Sequence, residues 1–372
     1  MKKHQKHTKL ERPYGGKFHQ NEWAIIGAPC PIIKKLVKTV NDQLKDRFKI
    51  GFVDEVHHLK ENEKPDYPGM LISKISHLDY SITPEESPFS YRTFFRHCDG
   101  VMVNGNHFKA DKQIVIINDK KKESLSRKID RLTNIQLVIL DHGQKKAHNF
   151  LKNIIGKDIP IVPIDSINVI TQWISDQIQA LAPPIDGLVL IGGKSSRMGE
   201  DKTKIQYHDL PQYKHAYLLL ENICRKTYLS GNESTEYTDD ELVIRDTFTG
   251  LGPFGGILSA FRENPNRALL TIPTDTPLID RELLDFLIAH RNPQKMATCF
   301  HNPETGFPEP LITIWEPKAY PILLNYLALG YACPRKALIN EDILELVCPN
   351  PLKLMNANTQ AEKNNFIKLL EK

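Results

Sequence analysis

The chain has 372 residues, 40% of them hydrophobic and 25% charged, with a formal net charge of +4 at pH 7. That length suits two domains, each able to bury its own core. No apolar run nears the ~20 residues of a membrane span, and so small a charge does not call for a nucleic acid partner. Six cysteines, Cys30, Cys98, Cys224, Cys299, Cys333 and Cys348, are scattered without a C-x-x-C pair. They predict reduced thiols rather than a disulfide framework or a zinc site.

Residues 1–22 read as a basic extension. Its Met1-Lys2-Lys3-His4 start is followed by no apolar segment, so no secretory signal and a cytoplasmic location are expected. Over residues 23–180 short apolar runs alternate with amphipathic ones. Strands are expected at 23–26, 49–53, 100–103, 113–117, 136–140 and 159–162, and helices at 32–44, 91–97, 122–132 and 166–180. This is the α/β pattern of a mostly parallel sheet covered by helices. The step from Ile26 through Gly27-Ala28-Pro29-Cys30 into a helix occupies a P-loop's place but lacks its Gly-Lys-Ser/Thr end. His57 and His58 are adjacent, and neighbours on a strand face opposite ways, so they do not form a ligand pair. Lys120-Lys121-Lys122 reads as a solvated helix start, and Cys30 as a small buried or loop residue rather than a nucleophile.

Residues 181–186 carry Pro183-Pro184 and read as a linker, and 187–372 as a second α/β domain. Its expected elements are a strand at 188–191, a helix at 214–224, a strand at 242–244, a helix at 257–262, a strand at 268–272 and a helix at 278–289. Three loops follow its strands, and in open α/β sheets ligands bind beyond the strands' carboxyl ends.

The first loop is the most specific. Leu190-Ile191-Gly192-Gly193-Lys194-Ser195-Ser196-Arg197-Met198-Gly199 leads to Lys202. Its glycines admit a base or phosphate close to the backbone, its amides face anionic oxygens, and Arg197 and Lys202 add mobile positive charge. The second is Gly250 to Gly256, just after Asp246. Gly252, Gly255 and Gly256 leave room for a flat ring or pyrophosphate, the next helix offers its amides, and Asp246 can accept hydrogen bonds from a nucleotide. The third, Pro273-Thr274-Asp275-Thr276-Pro277, puts a carboxylate at a strand end, as Mg²⁺ requires. The competing role for Asp275, helix N-cap, is one that Thr276 or Asp280 could fill instead.

Taken in this order, the three loops make residues 187 to about 362 resemble the molybdenum cofactor guanylyltransferases, the MobA-like branch of the Rossmann-like nucleotidyltransferases. The family's Leu-Ala-Gly-Gly stands here as Leu190-Ile191-Gly192-Gly193, its Arg-Met-Gly and lysine as Arg197-Met198-Gly199 and Lys202, and its acidic position as Asp246. Its Gly-Pro-Leu-x-Gly matches Gly252 to Gly256, and its Cys-Asp-x-Pro magnesium site matches Thr274 to Pro277. Asn356-Ala357-Asn358-Thr359 resembles the family's Asn-x-Asn-Thr-Pro, and Glu309-Pro310-Leu311 falls on the acceptor side. Where the family has an asparagine after its second strand, the chain offers Ser230 or Asn232.

The resemblance implies transfer of GMP from GTP to molybdopterin, with Mg²⁺ on Asp275, Arg197 and Lys202 on the triphosphate, and pyrophosphate as leaving group. Molybdoenzymes or cofactor-insertion proteins are the implied partners. CMP transfer, transfer to a sugar or alcohol phosphate, and a non-catalytic nucleotide-binding adaptor are the alternatives. Phe52-Val53-Asp54-Glu55 after the second strand makes the N-terminal half similar to the P-loop adaptor GTPases that partner such transferases, here in degenerate, substrate-presenting form.

Overall fold

The computed structural model describes residues 16–55, 69–72, 78–81, 91–191, 206–207, 210–231, 242–357 and 360–370, without side chains at 69–72, 78–81, 93, 360 and 368–370. The chain divides into two compact units, Met1–Leu181 and Ala182–Lys372.

In the first unit the elements run β1 (Glu22–Ile26), α1 (Cys30–Leu44), β2 (Ile50–Val53), β3 (Gly69–Ile72), β4 (Leu78–Ser81), α2 (Tyr91–Phe94), β5 (Gly100–Asn104), β6 (Lys112–Ile117), α3 (Lys122–Ser126), β7 (Ile135–Leu140), β8 (Ile161–Pro163) and α4 (Ile167–Ala180). Six strands form a parallel sheet in the order β2-β5-β1-β6-β7-β8. Strands covered on both faces need near-continuous apolar runs, and residues 101–103, 114–117 and 137–139 are buried throughout. On one face Ile33, Val37 and Val40 of α1 and Ile170, Ile174 and Ile178 of α4 pack on Trp23, Ile25 and Met102. On the other, Leu125 of α3 and Leu151 meet Ile26, Val115 and Val138.

Three differences from expectation stand out. The helix expected at 91–97 is the single turn Tyr91–Phe94. The helix expected at 122–132 ends at Ser126 and resumes as a 3₁₀ turn, Ile129–Arg131. The antiparallel pair β3–β4 was not anticipated, although Leu78-Asp79-Tyr80-Ser81 carries the two-residue alternation of a strand.

The second unit runs β9 (Ile185–Leu190), α5 (Gln212–Glu221), β10 (Thr227–Gly231), β11 (Val243–Arg245), α6 (Pro253–Glu263), β12 (Ala268–Pro273), α7 (Arg281–Ala289), β13 (Ala297–Asn302), β14 (Phe307–Trp315), α8 (Ala319–Ala328), α9 (Pro334–Asn340), β15 (Leu344–Val347) and α10 (Gln360–Leu370). Its seven-stranded sheet has the order β11-β10-β9-β12-β14-β13-β15. The first four strands are mutually parallel and β14 is antiparallel to both neighbours.

Strand β9 begins at Ile185, inside the span expected as linker, because the strand's hydrogen bonding to β12 starts there. Helix α6 begins at Pro253, suited to a first helical position by its fixed φ and missing N–H. It buries Phe254, Ile257, Leu258 and Phe261, each worth roughly 1.5–3 kcal/mol against exposure. Helix α7 starts at Arg281 rather than 278, because the Asp280 side chain accepts the Leu283 N–H at 3.0 Å. A buried ion pair secures the far end of this sheet. Arg291 donates through Nε and Nη2 to both oxygens of Glu316, at 2.7 and 2.8 Å, and from Nη2 to the Pro183 carbonyl.

Candidate active site

In the second unit the chain leaves β9 toward β10 on one side, while β12 lies on the other. That reversal of strand order creates a crevice at the strands' carboxyl ends. The register fixes what faces it. Ile244, Ser230, Leu190 and Pro273 are paired in succession across β11, β10, β9 and β12. Ile191, the Ser230 turn, Asp246 and the Thr274-Asp275 turn therefore leave one edge of four parallel strands.

Ser230 Oγ donates to Asp246 Oδ1 at 2.8 Å, and the Asp246 N–H reaches the Gly231 carbonyl at 3.0 Å. Burial raises the Asp246 carboxyl above the usual range, with the Ser230 hydrogen bond working against that rise. The Ile191 N–H is spent on the Ser230 carbonyl at 3.1 Å, which ties the root of the glycine loop to β10.

The loop glycines divide by role. A Cβ on Gly255 would stand 2.1 Å from the Phe248 carbonyl oxygen, and one on Gly256 would stand 2.4 Å from Ser230 Oγ. Their bare backbones allow α6 to pack closely, Gly255 on the loop at Phe248 and Gly256 on β10. Gly252 is different: φ is +58° and no atom lies within 4 Å of a Cβ placed there, so only the backbone conformation calls for glycine. Ser259 Oγ stitches the loop together, accepting from the Thr247 N–H at 2.9 Å and donating to the Gly255 carbonyl at 2.7 Å.

With Asp280 serving as the cap of α7, Asp275 is released from that role. Its carbonyl accepts the Ala357 N–H at 2.7 Å, which brings the Asn356-Ala357 segment against the Asp275 turn. Two further side chains, which sequence reasoning either missed or set only by resemblance, feel its charge. Burial, then the charges of Asp275 and Glu362, pushes the Tyr207 phenol up to about 12. Glu309 is buried, and that burial raises its carboxyl. The Asn302 amide at 3.0 Å, the Leu311 N–H and the Arg335 guanidinium oppose the rise, while the charge of Asp275 adds to it. Tyr207 had no motif to reveal it, and Arg335 announces itself only as the second residue of α9.

Oxygen donors alone gather here, and among the described residues no three His, Cys, Asp or Glu groups converge on one point. One carboxylate at a strand end suits Mg²⁺, which keeps waters and phosphates as its other ligands, better than it suits a metal held wholly by protein. Gly192, Gly193, Ser195, Ser196, Arg197, Lys202, Asn232 and Asn358 lie outside the described residues, as do His57 and His58. Beside the crevice a shallow groove of about 380 Å³ runs between α5 and the Pro277–Arg281 turn. Its one cation from the C-terminal segment, Lys353, is held by Asp280 and Glu282. No helix among the described residues is long and apolar enough to cross a membrane.

Residues 187–342 match the model of the MobA-like NTP transferase domain. A "Molybdenum cofactor biosynthesis bifunctional protein" of Synechocystis is 33% identical over 180 residues, covering 47% of this chain and 52% of that protein, so the chain spans about half of it. A "Probable molybdenum cofactor guanylyltransferase" of Carboxydothermus hydrogenoformans is 30% identical over 49% of this chain and 94% of that protein. The N-terminal half resembles a solved structure titled molybdopterin-guanine biosynthesis protein B, with 13% identity over 42% of this chain and 99% of that one, at a TM-score of 0.31.

Proposed function

Because the chain belongs to the MobA-like NTP transferase family and is a nucleotidyltransferase, we propose that it transfers GMP from GTP to molybdopterin. The terminal phosphate oxygen of molybdopterin attacks the α-phosphorus of GTP, a new P–O bond forms, the bond to the bridging oxygen breaks and pyrophosphate leaves. Such a transfer needs positioning and charge neutralisation more than a nucleophile from the protein. The observation that carries this reading is the register that aligns Leu190, Ser230 and Pro273 on one edge, with Asp246 and Asp275 following their strands.

The roles then divide. Leu190, Ile191 and the glycines after them would receive guanine, with Ser230 and Asp246 as a preset acceptor pair for the nucleoside and Gly252 beside them. Asp275 would hold Mg²⁺, which when bound neutralises phosphate charge as a Lewis acid. Arg197 and Lys202 would grip the triphosphate. Asn358, Glu309 and Arg335 would face the acceptor, and the product would pass to molybdoenzymes or cofactor-insertion proteins.

The N-terminal unit takes no part in this chemistry and presents substrate. Only Gly27, Ala28 and Pro29 separate β1 from α1, too short a connection to wrap a phosphate as a P-loop does. The test is pyrophosphate release with Mg²⁺ and each of the four nucleoside triphosphates, with and without molybdopterin. Release that requires both GTP and molybdopterin is expected. Release with CTP alone would move the activity to cytidylyl transfer, and silence with all four would overturn it.

A further inference from the structure

The N-terminal unit has its own carboxyl edge, and three strands deliver reactive side chains to it. Cys30 opens α1 after β1, Glu55 follows β2 by two residues, and His107 follows β5 by three. In the sheet β5 lies between β2 and β1, so the imidazole arrives between thiol and carboxylate. Cys30 Sγ is 3.3 Å from His107 Nε2, and His107 Nδ1 is 2.8 Å from Glu55 Oε2. The Asn106 amide donates to the Ala28 carbonyl at 2.9 Å and points toward Cys30 Sγ at 3.7 Å. Lys128 Nζ donates to the Asn106 carbonyl at 2.7 Å and keeps a positive charge beside the group.

A thiol, an imidazole and a carboxylate in a line, with the base oriented by the third member, is the arrangement by which a nucleophile is activated. A metal site would require the three donors to converge, but here the two ring nitrogens of His107 face Cys30 and Glu55 separately. The first turn of a 15-residue helix adds its partial positive charge at the sulfur. Three neighbouring strands would have to place these side chains together by accident if the group were only structural, and Cys30 is half-buried rather than sealed in the core.

We propose that Cys30, His107 and Glu55 form a second active site, one for acyl transfer, in which Cys30 attacks the electrophilic carbonyl carbon of an ester or thioester. As the C–S bond forms, the thiol proton passes to His107 Nε2 and negative charge collects on the carbonyl oxygen, within reach of the Asn106 amide. The intermediate then expels the alcohol or thiol leaving group, which takes the proton from His107. An incoming water or amine, deprotonated by the same imidazole, releases the acyl group and restores the thiol. Cys30 and His107 are catalytic residues, whereas Glu55 positions the ring.

The test uses the full-length protein and p-nitrophenyl acetate at neutral pH, following p-nitrophenol release and locating the acetyl adduct by mass spectrometry. The adduct is expected on Cys30 ahead of the other half-buried thiols Cys98, Cys224 and Cys333. Cys30→Ala abolishes it, and His107→Gln slows acetylation about 100-fold, as loss of a general base does. Glu55→Ala slows it less, and Glu55→Asp restores part of the loss, which a merely structural carboxylate would not require. Acetylation of Cys30 no faster than of Cys98 or Cys333 in the unaltered protein would overturn the proposal without reliance on any variant. Reaction of Cys30 with disulfide reagents but not with the ester would overturn the acyl chemistry.

Discussion

Both units end buried parallel strands in a carboxyl edge, but the two edges are charged differently. At the first edge the polar groups answer one another. Asp54 accepts from Lys34 at 3.0 Å and from the Asn104 amide at 2.7 Å. Desolvation would raise its carboxyl, yet Lys34, the Glu55 N–H and Asn104 together hold it below the usual range. At the second edge burial lifts Asp246 and Glu309 above it, with only partial compensation from neutral donors and Arg335. Among the described residues, the carboxylate of the first edge has a cation bound to it directly, whereas burial governs those of the second. The same architecture hosts both, and the loops decide the chemistry.

That contrast breaks most sharply at Asp275. Asp275→Ala should lower nucleotidyl transfer by about 10²–10³-fold or more, with the urea midpoint of the protein unchanged; steady-state pyrophosphate release and a denaturation curve check both halves of the statement. Next in size is the buried pair at the far end of the second sheet. Glu316→Ala leaves Arg291 unpartnered by carboxylate, and should cost the second unit about 3–5 kcal/mol. Hydrogen exchange should register the loss in β12 and β14 and leave β1, β5 and β6 protected.

Glycine substitutions sharpen the comparison further. Gly27 has φ +97° and a Cβ there would meet the Ile116 carbonyl at 2.4 Å, so Gly27→Ala should cost about 1–3 kcal/mol through backbone strain and crowding. Gly256→Ala meets a rotatable hydroxyl instead, and should cost about 1 kcal/mol by disturbing the Ser230–Asp246 hydrogen bond. Thermal melts rank the two, and only Gly256→Ala should also impair transfer.

The smallest effect is one of sign. The stability that protonated Asp246 contributes is present below the ordinary aspartate range and is lost as pH rises through its raised value. Asp54 does the opposite: its contribution is present above that range and is lost as pH falls through its lowered value. Across about pH 3 to 7, Asp246→Asn should therefore gain on the unaltered protein as pH rises above about 4, whereas Asp54→Asn should gain on it as pH falls below about 4 and show no trend above. Urea midpoints of both variants across that window check the signs.

Much of this was legible in the sequence because both sheets are built from buried parallel strands, whose apolar runs stand out between amphipathic helices. The Asp275 turn was legible because an apolar strand ends directly in it. The Ser230–Asp246 pair was only half legible: both residues were candidates, but their contact depends on the β10–β11 register. The antiparallel strands β13 and β14 escaped notice, since Pro308 and Pro310 interrupt the alternation in β14. Gly255 and Gly256 were read as space for ligand; that a Cβ on them would meet Phe248 and Ser230 depends on the packing of α6 and was not legible. Cys30 looked inert because sequence separation hid it: His107 is 77 positions away.

The most direct measurement follows label from α-³²P-GTP into molybdopterin, comparing the unaltered protein with Asp275→Ala. A labelled molybdopterin dinucleotide is expected with the first, and with the second its rate of formation should be at least about 100-fold lower. Labelled product formed equally by both would contradict this expectation.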